Sequence, residues 1–195
     1  MMAIARDSLL SLEQYARQRP EFRARVIAHK KTRTLHAGEH VTLVFEDELT
    51  IRYQVQEMLR IERIFEEAGI RDELDAYNPL VPDGQNWKAT MLIELPDEAE
   101  RRIWLARLKG VEDRVWVGVA GFEPVYAIAD EDLERENAEK TSSVHFLRFE
   151  LGPQRSRAML QGAALAVGID HTAYTVAVDP VPEAIRNSLC GDLRV

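Results

Sequence analysis

The chain has 195 residues, a size that suits one domain or one domain with an appended helical arm. Its 46% hydrophobic and 30% charged residues place it with soluble globular proteins, and a formal net charge of −8 argues against general binding to nucleic acid or anionic membrane. The single cysteine, Cys190, rules out an internal disulfide and a cysteine-rich zinc or iron–sulfur site, and fits a reducing cytoplasm.

The N-terminal apolar stretch is too short, and too soon broken by charge, for a signal peptide. Asp7 or Ser8 is placed to cap a first helix through Leu9, Leu10, Leu12 and Tyr15, and Pro20 is expected to interrupt it. A second helical piece, Glu21 to His29, follows. Between residues 17 and 33, Arg17, Arg19, Arg23, Arg25, Lys30, Lys31 and Arg33 stand against one acid, Glu21. This stretch reads as a solvated helix, or as an arm docking on the acidic segment Asp130 to Glu139; the sharper alternative is a regulator gripping nucleic acid. With only Tyr15 and Phe22 near it for stacking, nucleic acid is the unfavoured partner.

Gly38 marks a turn before a strand, His40 to Phe45. Glu46, Asp47 and Glu48 suit the positive end of a helix running from Thr50 to Gly69. At about 100° per residue, Ile51, Val55 and Met58 project within roughly 40° of Glu62, which is therefore expected to be buried. A buried carboxylate must be paired, protonated or ligated. Gln54, Glu57 and Glu66 also intrude on the apolar arc, while Arg52, Gln56, Arg60, Arg63 and Glu67 form the polar face. The helix is thus expected to floor a polar pocket.

Residues 72–85 read as a loop around a short helical turn, and Lys88 to Leu95 as a strand. Pro96 opens a helix that Gly110 stops. Arg114 to Val119 and Pro124 to Ala129 read as a hairpin, and Ser142 to Leu151 as a strand with His145, Leu147 and Phe149 on one face and Arg148 and Glu150 on the other. Gln154 to Val167 reads as a helix, Thr172 to Val178 as a strand, and Pro182 opens a last short helix ending near Cys190. The order predicts an α+β fold, an antiparallel or mixed sheet with helices on one face, in a split βαβ (ferredoxin-like) arrangement with additions. Residues 1–37 would be the helical arm and 38–195 the core of a single domain.

The candidate site residues follow from this plan. Glu62, Glu57 and His145 are the acid–base candidates, with Arg60, Arg148 and Gln54 placed to hold substrate. Glu62 with His145 would suit iron, manganese or zinc, although no metal-binding spacing of histidines occurs. No nucleophile elbow, Walker loop or dinucleotide fingerprint is present. The best reading is a non-catalytic accessory or binding protein with a polar pocket around Glu62; the alternative is a metal-dependent enzyme.

Four blocks, RPEFRARVIAHKKTR, FEDELTIRYQVQEMLRIERIF, ELDAYNPLVPDGQNWKATMLIELP and KTSSVHFLRFEL, give the chain a further signature. It resembles, over nearly its whole length, an uncharacterised bacterial family catalogued as a domain of unknown function. The resemblance implies gene neighbourhoods encoding rubrerythrin-like and iron–sulfur redox proteins, hence a redox-linked pathway and a redox-protein partner. A homo-oligomer is expected.

Overall fold

Alternation of apolar and polar residues drives the strands, and their pairing makes two antiparallel sheets rather than one. The computed structural model describes residues 3–129 and 140–194, so the acidic stretch 130–139, with the expected docking of the arm on it, lies outside the described residues. A 3-10 turn, Arg6–Ser8, precedes α1, Leu12–Lys30. Then come β1 (Thr34–Ala37), β2 (Val41–Glu46), α2 (Glu48–Glu62) and α3 (Glu67–Tyr77). A 3-10 turn at Asn78–Leu80 leads to β3 (Asn86–Ile93), α4 (Glu98–Arg107) and a further turn at Val111–Arg114. The rest is β4 (Val115–Val119), β5 (Val125–Tyr126), β6 (Ile128–Ala129), β7 (Val144–Glu150), α5 (Gly152–Leu160), β8 (Leu165–His171), β9 (Tyr174–Val178) and α6 (Glu183–Cys190).

One sheet has the order β1-β2-β3-β7-β6 and the other β5-β4-β8-β9. Their inward faces share one core that includes Leu43, Phe45, Trp87, Met91 and Phe149 from the first and Val115, Val117, Val167 and Ile169 from the second. The expected hairpin does form, but its second arm divides. Tyr126 pairs with Trp116 in one sheet, Ile128 pairs with Arg148 in the other, and the chain crosses between them at buried Ala127. The α+β class therefore holds, while β3 and β4 fall in different sheets and the split βαβ order does not form. Among the described residues no helix is long and apolar enough to cross a membrane.

The helices depart from expectation at their ends. Ser11, not Asp7 or Ser8, caps α1 in a reciprocal box with Gln14. The helix runs on through Pro20, where both Pro20 and Ala16 are exposed, so water reaches the turn whose carbonyl lacks a donor. α2 stops at Glu62 because Arg63 turns left-handed (φ 56°) and Ile64 N–H bonds back to the Leu59 carbonyl. Gly69 is no cap. It lies within α3, where a Cβ would sit 2.8 Å from the Ile64 side chain. β1 adds an edge strand to the first sheet from Thr34, inside the stretch expected as arm.

The strands, α2 and the C-terminus meet at Arg33, which is 1% exposed. Its Nε donates to the Phe45 carbonyl at 2.8 Å and Nη2 to the Glu46 carbonyl at 3.1 Å. Nη2 and Nη1 reach the Asp192 carboxylate at 2.5 and 3.3 Å, and Nη1 lies 3.5 Å from Asp47. Asp47 in turn caps α2 through the Thr50 N–H and meets His29 Nε2 at 2.5 Å. Burial pushes the Asp192 carboxyl up to about 6 against the pull of Arg33, with Asp47 adding to the rise. Burial also pushes on Asp47, but Arg33, the Thr50 N–H and His29 outweigh it and hold that carboxyl below its ordinary value. Arg33→Ala leaves two buried carboxylates without their shared cation. It is expected to lower unfolding stability by about 3–5 kcal/mol, read from urea denaturation at pH 7.

Candidate functional site

The outer face of the five-stranded sheet is built in rows by its register. Thr34, Val44, Thr90 and Phe146 lie side by side across β1, β2, β3 and β7; next to them run His36, Thr42, Leu92 and Val144. Ile51 and Gln54 of α2 with Tyr77 and Leu80 stand over these rows and enclose a cleft of about 270 Å³. Thr50, Lys30 and Glu46 complete its lining. The floor and walls are mainly apolar, which is the composition of small-ligand sites, and the volume lies just below their usual range.

Glu46 is the distinctive group. As the last residue of β2 it follows the outward set Thr42 and Val44, so its side chain leaves the core side and enters the cleft. It is 7% exposed. Thr90 Oγ1 donates to its Oε1 at 2.7 Å. Its backbone carbonyl is held by Arg33, so the strand end cannot rotate away without breaking that contact.

Residues 3–193 match the family described as protein of unknown function (DUF3501). The chain belongs to this family. A solved structure described as a novel protein of unknown function from Burkholderia pseudomallei K96243 is 57% identical, with a TM-score of 0.91 over 99% of this chain and 100% of that one. No curated protein matches. Neither family nor neighbour speaks to the rubrerythrin-like gene neighbourhoods that the resemblance implied.

In this DUF3501 chain the expected site residues are dispersed. Glu62, expected to be buried, is exposed, because α2 ends at that residue and the apolar face it was assigned to is not continued. The nearby Glu73 carboxyl is pushed up by its own burial and by Glu62 and Asp72. His145 is fully buried, but it points between the sheets, in a row with Leu35, Leu43 and Met91. There its Nε2 lies 3.0 Å from Thr141 Oγ1 and 3.8 Å from the Glu112 carboxylate. Glu62 and His145 thus do not share a site, and among the described residues no three His, Cys, Asp or Glu side chains group to hold a metal. Arg148 is on the outer face and pairs with Glu150. Gln54 alone of the six lines the cleft. Glu46 went unnoticed as a site residue because three consecutive acids before a helix read as end charges; the alternation Thr42, Val44, Glu46 was the signal that it belonged to the strand's outer face.

Glu57 is the buried carboxylate that the α2 pattern did place inside, but on the other side of the helix. Arg19 binds both its oxygens at 2.7 and 2.9 Å, Tyr15 donates to Oε1 at 2.6 Å, and Arg60 reaches Oε2 at 3.2 Å. This clamps α1 to α2. It also commits Arg60, and Arg19 here and Arg33 in the buried cluster are two arginines of the basic stretch 17–33 that the fold already engages. The Arg19 hydrogen bonds, helped by Tyr15 and Arg60 and opposed by burial, hold the Glu57 carboxyl down to about 2 from an ordinary 4.5. Burial and Glu57 together raise the Tyr15 hydroxyl. Because the unfolded chain takes up this proton first, the Glu57 contribution to stability is complete above pH 4.5 and disappears as pH falls toward 2. The expected result is that Glu57→Gln is less stable than wild type at pH 7 and loses less stability than wild type on acidification across this window, read from denaturant midpoints at each pH.

Proposed function

We propose that this protein is a non-catalytic binding protein, one domain of 195 residues, whose working site is the cleft between α2 and the outer face of the five-stranded sheet. The observation that carries the reading is the combination at one place of half-buried apolar side chains, Val44, Leu92, Val144 and Phe146, with the buried carboxylate of Glu46. Apolar surface supplies affinity, and a single polar group fixes orientation. The other buried acids do not support this role as well: Glu57, Asp47 and Asp192 are engaged by arginines within the fold. The reading keeps the cytoplasm as the place of action, and self-association and a redox-protein partner as its setting.

Native mass spectrometry of the protein purified without denaturation is expected to show a small-molecule adduct. Val144→Trp, which puts an indole in place of a cleft-lining side chain, should abolish the adduct with the far-UV spectrum unchanged. Protein that carries no adduct, and whose Thr90, Val144 and Phe146 amide resonances stay unmoved by a library of small fragments, would end this reading.

A further inference from the structure

The geometry points to a ligand with a cationic head, an ammonium or amidinium group, on a short apolar body, the head meeting Glu46 and the body lying on Val144 and Phe146. This rests on the cleft being the binding site and names the class of molecule it takes. Five carboxylates are buried among the described residues: Glu46, Asp47, Glu57, Glu112 and Asp192. Four of them meet a basic side chain: Asp47 has His29 and Arg33, Glu57 has Arg19 and Arg60, Asp192 has Arg33, and Glu112 has His145. Glu46 has none within ion-pair distance among the described residues. Its one side-chain partner there is Thr90, on Oε1, and its side chain lines the cleft.

Thr90 occupies one oxygen of this carboxylate and leaves the other to whatever enters the cleft. A donor-rich cation arriving in the cleft would supply what Asp47, Glu57 and Asp192 obtain from arginines of the fold. Lys30 also lines the cleft and Lys88 stands across from Glu46 in the register with its Nζ on the Pro79 carbonyl, but neither comes within ion-pair distance of Glu46, so among the described residues no cation contacts this carboxylate. An anionic head would instead meet an acid it cannot hydrogen-bond. The size of the body follows from volume. A cavity of about 150 Å³ holds benzene, so the 270 Å³ here accommodates about ten non-hydrogen atoms by the same proportion. A six-membered ring with a one- or two-atom arm and a head fits that limit, and Phe146 offers it a ring to pack on.

The test titrates the full chain with benzylamine, benzyl alcohol and benzoate, following amide resonances of Thr90, Val144 and Phe146 and the heat of binding. Benzylamine is expected to shift these resonances and to bind about tenfold more tightly than benzyl alcohol, as a charge-assisted contact should. Benzoate should be the weakest of the three. Glu46→Gln keeps the shape and the acceptor for Thr90, so it should erase the preference for the amine while leaving the alcohol's affinity in place. Gln54→Arg, at an exposed position, puts a competing cation over the cleft and should weaken benzylamine about tenfold relative to wild type; it serves equally if Glu46→Gln does not fold. Equal binding of amine and alcohol at the cleft, or an amine preference unchanged in either folded variant, overturns the cationic class and leaves the cleft as a binding site. If none of the three probes moves the cleft resonances, both the class and the site fall.

Discussion

Arg33 is the point on which the arrangement turns. One guanidinium holds two carbonyls at the end of β2, the N-cap acid of α2 and an acid just after α6, Asp192. Lysine has no substitute geometry for this, because the contacts diverge from a planar fork with donors at fixed angles. A buried ion cluster of this kind is weak evidence for net stability, since desolvation offsets much of the Coulomb gain. Its more secure role is geometric. It fixes where β2 stops and α2 starts, and so where Glu46 points. The cleft therefore depends on a residue that does not line it.

Two polar systems lie on opposite sides of α2, and they differ in how completely the fold satisfies them. Toward α1, Glu57 accepts from Tyr15, Arg19 and Arg60, and Gln56 exchanges hydrogen bonds with the backbone of Leu10, accepting at 2.7 Å and donating at 3.3 Å. On that side both Glu57 oxygens are answered, while Arg60 Nε is buried without a hydrogen-bond partner. Toward the sheet, Glu46 has Thr90 and the cleft. Networks of the first kind position elements, whereas a carboxylate with one oxygen left to a cleft is available to a ligand.

The elements were legible in the sequence wherever local chemistry and tertiary packing agreed. α2 announced its start through the acids Glu46, Asp47 and Glu48, β3 and β7 through alternation, α6 through Pro182. The failures share a cause: the deciding contact was remote in sequence. No glycine marked the end of α2, because Arg63 itself takes the left-handed conformation; carrying the helix on to Gly69 put Glu62 on a buried face that does not exist. Residues 163–167 are rich in alanine and read as helix, yet after Gly162 turns at φ 100° they lead into β8, the strand between β4 and β9, which begins at Leu165. Missing β8 hid the second sheet, and with it the interior toward which His145 points. The alternation in β7 correctly separated the His145 face from the Arg148 face. It carried no information on which face met helices, since both faces of that sheet are covered by something.

That two-sided covering also explains why the cleft is there. The inner face of the five-stranded sheet is closed by the second sheet, a match of two extended apolar surfaces. The outer face is covered by a different kind of element. α2 lies against β2, and a helix covers a strip rather than a plane, so the outward residues of β7 beyond it, Val144 and Phe146, stay half-buried. Lengthening α2 would not close the gap, because the gap lies beside the helix and not beyond its end. Burying such surface against a ligand is favourable by about 25 cal/mol per Å², but this term alone would accept any apolar body of the right size. Discrimination has to come from a group that rejects as well as attracts. Glu46, fixed through its own backbone by Arg33 and through one oxygen by Thr90, is the group at the cleft with the rigidity to do so.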